Sequence, residues 1–324
     1  MRPTIIVLTP VKNEAWILDR FLAVCSQFAD LILLADQHST DGSREIAARW
    51  PKARVIGNAS PAFNEAERQK LLIEAARATV PGPRVLLALD ADEIPTADSL
   101  ASADWETFLT APPGTVLMLE KIDLLPDGTC LRYDEPFPYG TVDDGAEHQP
   151  RWIHSYRVPV RPESPRLRPP GIKLLHSAYL RPKTQRLKMC MYATIENRQG
   201  PLRLKSILSR RLNYGRKKDW LGLGRREPAD PLWLRGWEEK GIAFGPPPDS
   251  GETWQAWACL QAMAEAGEKR FWCEDLWDID WERLRQRGQT LGVPGLPVHP
   301  VRRPPPLLGW LLDAAESVAR RLKS

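Results

Sequence analysis

The chain has 324 residues, 43% hydrophobic and 27% charged, with a formal net charge of +4. This is the balance of an ordinary soluble globular protein, long enough for one large domain plus an appendage, and too weakly basic to argue for nucleic acid as a partner. Five cysteines (25, 130, 190, 259, 273), odd in number and without a C-x-x-C pair, exclude a disulfide framework and read as reduced thiols of a cytoplasmic protein.

The first elements alternate. The N-terminus enters a short apolar strand, Ile5 to Leu8, and not a signal peptide. Ile17, Phe21, Val24 and Phe28 then form a helical stripe over Glu14 to Phe28. Leu31 to Ala35 is a second strand, Arg44 to Arg49 a helix capped from Thr40-Asp41-Gly42-Ser43, and Arg54 to Ile56 a weak third strand. A helix from Phe63 to Ala78 leads to the buried strand Val85 to Leu89. Strands alternating with helices predict βαβ units and a parallel sheet. The fold class is α/β.

Beyond Pro95 the pattern changes to a mixed extension of the sheet. Thr115 to Leu125 and Cys130 to Tyr133 read as strands joined at Pro126-Asp127-Gly128, with further strands at Arg151 to Val160 and Ile172 to Leu180. From about Gly200 nine of the thirteen tryptophans lie in a helical, proline-broken region, and most should be core of that tail. The basic run from Arg198 to Lys218 reads as a solvated helix face, with contact to an anionic acceptor or lipid headgroups as the alternative. In the last segment Leu307, Leu311, Ala315, Val318 and Leu322 share one face, and Asp313, Glu316, Arg320 and Lys323 the other. The expected division is residues 1–198, a helical extension over 199–301, and a proline-linked amphipathic helix over 302–324. That last helix should dock back on the protein, with pairing to another protomer or peripheral contact to anionic lipid as the competing outcomes. No run approaches the roughly 18 apolar residues a bilayer span needs.

The chemistry gathers at strand ends. The Val85 strand stops at Asp90-Ala91-Asp92-Glu93, and side chains two apart on an extended backbone face one site. Two adjacent carboxylates suit a hard divalent cation, Mg²⁺ or Mn²⁺, just beyond the carboxyl ends of a parallel sheet. Asp36, ending the second strand, can accept from a ribose hydroxyl or a base N–H, or cap the next helix. Arg68 can reach a phosphate or lie on the surface, and His176, ending Leu174-Leu175-His176, is either a metal ligand or a buried core histidine. No G-x-G-x-x-G or Walker loop is present.

The combination Thr9-Pro10-Val11-Lys12-Asn13-Glu14, Asp36-x-x-Ser39-Thr40-Asp41-Gly42-Ser43 and Leu89-Asp90-Ala91-Asp92-Glu93 resembles the family 2 type glycosyltransferases with the GT-A fold, in order and in spacing. The likeness covers about the first hundred residues well and continues less clearly to Tyr192. It implies a nucleotide-sugar donor across the strand ends, with Asp36 at the base, Thr9, Val11, Asn13 and Glu14 near the nucleoside, and Arg68 near the diphosphate. It implies Asp90 and Asp92 at the ribose and metal, with His176 completing the metal site. Asp144, by its position after the metal motif, is the expected catalytic base, with Glu93 as a second candidate. The stretch Tyr133 to His148 lacks the Glu-Asp pair usual there.

The expected activity is metal-dependent sugar transfer, with inversion, from a UDP- or GDP-sugar to a hydroxyl of a glycan, lipid-linked or polysaccharide acceptor. An ionised Asp36 accepts hydrogen bonds and cannot donate them, so it favours uracil N3–H or guanine N1–H. Two other readings compete. One is a haloacid-dehalogenase-like phosphatase with Asp90 as nucleophile, although Ile94 departs from its pattern. The other is a non-catalytic carbohydrate- or membrane-surface binding protein.

Overall fold

In this computed structural model the described residues are 2–58, 64–151, 155–216, 224–242 and 247–322. They form two compact units. The first comprises Met1–Leu180 and Leu223–Pro247, the second Arg181–Gly222 and Pro248–Ser324.

The first unit is α/β. Its chain runs β1 (Thr4–Val11), α1 (Leu18–Cys25), β2 (Leu31–Asp36), α2 (Ser43–Ala47), β3 (Ala53–Gly57), α3 (Glu65–Thr79) and β4 (Arg84–Ala88). It continues through β5 (Glu93–Pro95), α4 (Asp104–Leu109), β6 (Val116–Leu124), β7 (Thr129–Arg132), β8 (Phe137–Val142), β9 (Arg166–Leu167) and β10 (Lys173–His176). After α5 (Pro182–Gln199) and α6 (Leu204–Tyr214), which belong to the second unit, it returns as β11 (Arg225–Pro228) and α7 (Leu232–Glu238).

The main sheet is mixed, in the order β11-β7-β6-β8-β4-β1-β2-β3, with β9 and β10 on β6 and β5 on β10. The four strands from β3 to β4 are all parallel, as the βαβ reading requires. Strand β1 is apolar on both sides. Ile5, Val7 and Val11 join the core under α1, while Ile6 and Leu8 join the one under α3. Helix α1 buries Leu18, Phe21 and Leu22, each contributing about 1.5–3 kcal/mol of transfer free energy. Helix α3 is started by Asn64, whose Oδ1 accepts from Glu67 N–H at 3.2 Å.

Three local expectations are corrected. Phe137–Val142, inside the stretch Tyr133 to His148 that by resemblance is an acceptor-side loop, is strand β8. Arg151 to Val160 forms no strand among its described residues; 152–154 lie outside them. Trp233 and Trp237 belong to the core of the first unit and not to the helical tail.

The second unit adds α8 (Trp254–Ala266), α9 (Trp281–Thr290) and α10 (Pro306–Arg321). Asp249 caps α5 by accepting from Lys183 N–H at 2.8 Å and Thr184 N–H at 2.9 Å. The expected boundary at 198 coincides with the end of α5, whereas the units divide before that helix, which packs on α8. The basic run is not a solvated face throughout. Arg210 is buried on Glu274, and Arg211 is buried on Glu316 and Asp313. All five cysteines are free. No helix among the described residues is long and apolar enough to cross a membrane.

Candidate active site

Parallel pairing brings the carboxyl ends of β1, β2 and β4 to one edge. Val11 stands opposite Asp36, and β4 beside β1 runs on through Leu89 into Asp90. Two antiparallel steps, β4 to β8 and β8 to β6, turn β6 back into the direction of β4. Asp123 near the end of β6 and His176 at the end of the parallel β10 therefore arrive at that edge too.

The loops after β1 and β2 are laced together. Asn13, at a positive φ of 57°, donates its N–H to Ser39 Oγ at 2.9 Å and accepts from Thr40 N–H through Oδ1 at 2.8 Å. Glu14 N–H donates to Ser43 Oγ and Ala15 N–H to Asp41 Oδ2, both at 2.9 Å. Glu14 Oε2 accepts from Trp16 Nε1 at 2.7 Å. Asn13 and Glu14 thus act as braces that shape the loops. The hydroxyl of Thr9 is buried without a hydrogen-bond partner.

Asp36 is the exception in this lacing. It is 5% exposed; Oδ2 accepts from Ser39 N–H at 3.3 Å, but Oδ1 is buried with no hydrogen-bond partner. It does not cap α2, which starts at Gly42 without a side-chain cap. A buried carboxylate oxygen without a partner costs about 1–3 kcal/mol. Beside it Lys12 is half-buried. Burial, then Arg68, lowers its pKa, while Asp36 pulls the other way. Arg68 Nη1 donates to Gln37 Oε1 at 3.4 Å. Lys12 and Arg44, whose Nε lies 3.7 Å from Asp36 Oδ2, therefore stand next to the Asp36 carboxylate, with Arg68 beside Lys12; neither Lys12 nor Arg44 is picked out by the sequence pattern.

The acidic motif is a tight turn and not an extended strand, because Glu93 N–H donates to Asp90 O at 2.9 Å. The two aspartates consequently have different partners. Asp90 Oδ2 accepts from Arg157 Nη2 at 2.8 Å. Glu93 is 1% exposed and fully engaged: it accepts from Asp90 N–H at 2.8 Å, from Tyr139 Oη at 3.2 Å and from Arg157 Nη1 at 2.5 Å. Burial opposes charge on Arg157, yet Asp90 and Glu93 hold its guanidinium protonated. Glu93 is therefore a brace of the turn, not a free acid or base.

Asp92 lies 3.6 Å from His176 Nε2, and the other ring nitrogen, Nδ1, lies 2.6 Å from Asp123 Oδ1. Asp123 is fully buried; burial pushes its carboxyl up, but His176, Lys121 and the Tyr133 hydroxyl outweigh it and bring it down to about 2. The Asp123 carboxylate holds Nδ1 and so fixes the orientation of the ring, leaving Nε2 as the nitrogen that lies toward Asp92. No three His, Cys, Asp or Glu side chains among the described residues are gathered into a metal cage. The Asp92–His176 pair offers one carboxylate oxygen and one imidazole nitrogen, a mixed donor set that suits a transition-metal dication such as Mn²⁺ better than Mg²⁺, the rest of its shell being left to water and substrate phosphate.

Asp144 is not at this edge. Val142 pairs with Val85 at the start of β4, so Asp144 lies at the opposite end of the strand, roughly 20 Å away at ~3.3 Å per residue. There Asp144 pairs with Arg161 at 2.5 Å, and its neighbour Asp143 takes both Arg77 and Arg84. The antiparallel reversal that creates β8 carries this acidic stretch away from Asp90.

No protein-family model matches the chain, and no curated protein matches it. Among solved structures it is similar to glucosyl-3-phosphoglycerate synthase from Mycobacterium tuberculosis in complex with Mn²⁺, UDP and glucosyl-3-phosphoglycerate: 20% identity and TM-score 0.28, over 37% of this chain and 44% of that one. Mannosyl-3-phosphoglycerate synthase from Rubrobacter xylanophilus gives 21% and 0.28, over 39% and 41%. GalNAc-T7 with UDP, GalNAc and Mn²⁺ gives 13% and 0.35, over 66% and 54%. The chain thus spans less than half the length of the two synthases. With TM-scores this low, the functional reading rests on the residues of the site.

Proposed function

We propose that the chain is a GT-A glycosyltransferase of the family 2 type, moving a sugar with inversion from a UDP- or GDP-sugar to a hydroxyl of a glycan, lipid-linked or polysaccharide acceptor. One observation carries the reading: Asp92 faces a histidine whose other nitrogen is fixed by a buried carboxylate, at the same strand edge as the unsatisfied Asp36 Oδ1.

Asp36 Oδ1 accepts the N–H at the pairing edge of uracil or guanine. Lys12 and Arg68 neutralise the diphosphate, whose negative charge grows as the bond to the sugar breaks. Asp92 and His176 would hold Mn²⁺ or Mg²⁺, and such an ion supplies Lewis-acid stabilisation of a leaving diphosphate. Asp123 holds the His176 ring by Nδ1 and leaves Nε2 toward Asp92. Arg157 and Glu93 hold the turn that presents Asp92, which leaves Asp90 a paired carboxylate and a poor nucleophile for the phosphatase alternative. Neither Asp144 nor Glu93 serves as the acceptor base in this mechanism, the first by distance and the second by engagement.

Calorimetry with UDP, GDP, ADP and CDP, with and without Mn²⁺, tests the reading. UDP or GDP should bind more tightly with Mn²⁺, and Asp92→Asn should abolish that gain while the protein stays folded. Preferential ADP binding, or a metal effect that survives in Asp92→Asn, would sink the assignment.

A further inference from the structure

The amphipathic helix α10 meets its unit with its charged face. Glu316 is fully buried and accepts from Arg211 Nε at 3.0 Å and from Arg320 Nη2 at 2.8 Å. Asp313 takes Arg211 as well, with Arg216 at 3.6 Å, and Leu312 is buried beside them. This reverses the usual inward turn of an apolar stripe.

The apolar side consequently faces out. Leu307 is 67% exposed, Trp310 67%, Leu311 51%, Val318 58% and Leu322 83%. At 3.6 residues per turn these positions fill an arc of about 120°, with exposed Ala314 inside it. Among the described residues Arg321 is the one charged side chain in the arc, and exposed Arg302 and Arg303 precede the helix. Both acids of the helix lie outside this arc and are ion-paired, Glu316 fully buried and Asp313 partly exposed.

We propose that this face of α10 lies on an anionic lipid surface. Charge selects the occupant. A second copy meeting the same face would bring its own Arg302, Arg303 and Arg321 toward these three, whereas acidic headgroups complement a net cationic rim. The chemistry of the face, Trp and Leu outward with arginines at its ends, is that of a helix lying in the membrane interface plane. The inference concerns a surface of the second unit and does not depend on the donor-site reading.

The full chain should float with vesicles of phosphatidylcholine and phosphatidylglycerol in a two-to-one ratio, and not with phosphatidylcholine alone. Leu311→Glu combined with Val318→Glu should weaken partitioning about tenfold or more, since it places charge in the apolar band. Neutralising Arg302, Arg303 or Arg321 to Gln should cost about fivefold each at low salt, corresponding to ~1 kcal/mol per charge. All five side chains are exposed, so the melting temperature should not move; equal melting separates lost binding from lost fold. Failure of the wild type to float, or equal flotation on neutral vesicles, overturns the proposal. A dimer by light scattering that the double glutamate variant converts to monomer would overturn it in favour of a second copy.

Discussion

At the scale of single residues, the site depends on which oxygen has a partner and which has none. Asp36 Oδ1 is buried and unsatisfied, so Asp36→Ala should narrow the affinity gap between UDP and CDP, a gap expected at roughly 5- to 150-fold from ~1–3 kcal/mol. Diphosphate binding should change less, because Lys12 and Arg68 remain; a variant with an undiminished preference would remove Asp36 from base recognition. Asp123→Asn keeps the shape but removes the charge that fixes His176, and should weaken Mn²⁺ affinity about 10- to 100-fold in a titration followed by donor-induced thermal shift. Asp36, Asp92 and His176 were legible as strand-end polar residues. Arg157 and Asp123 were not, since each meets its partner across more than 50 residues of sequence. The one signal for Asp123 was an acid inside an otherwise apolar strand run, Ile122-Asp123-Leu124.

At the scale of elements, local pattern and tertiary demand agree for the parallel half of the sheet and part company after it. Strands β1, β2 and β4 are apolar on both faces, and such runs declare themselves. Strand β8 carries Pro138 and Gly140, which read as loop. Gly140 is there because a Cβ would come within 2.7 Å of Leu87 Cδ2 and 3.1 Å of Leu86 O on β4. Missing β8 is what left Asp144 on the wrong side of the sheet. Helix α7 was misplaced for a related reason: tryptophan content says that a segment is buried, but not against what. Trp237 is fully buried in the first unit and donates Nε1–H to Pro95 O at 3.0 Å, at the end of β5. Trp237→Ala should therefore destabilise that unit by about 3–5 kcal/mol, read as a lower urea midpoint. A cost below ~1 kcal/mol would mean that α7 contributes little to this core.

At the scale of the whole molecule, 45 basic and 41 acidic side chains leave little net charge near neutrality, and the first losses of stability below it come from groups whose pKa differs between folded and unfolded chain. His148 is the first to act as pH falls. It is buried with Nε2 at 3.0 Å from Gln69 Oε1, and burial, then Lys70 and Arg77, lower its pKa from 6.5 to about 4. The unfolded chain therefore binds a proton between pH 6.5 and about 4 that the folded one refuses. Stability contributed by neutral His148 is complete above pH 6.5 and is lost progressively down to about 4, by roughly 2–3 kcal/mol. Carboxylates take over lower down. Asp123 and Glu282, both held at about 2, give stability that is present above their unfolded values of 3.8 and 4.5 and lost as pH falls toward 2. Acid melting should thus proceed in two stages. His148→Gln removes the titrating ring, keeps an amide that can bond Gln69, and should flatten the upper stage alone. Melting temperatures of wild type and variant across that range decide it: parallel curves from pH 6.5 to 4 would show that His148 does not govern the acid limb.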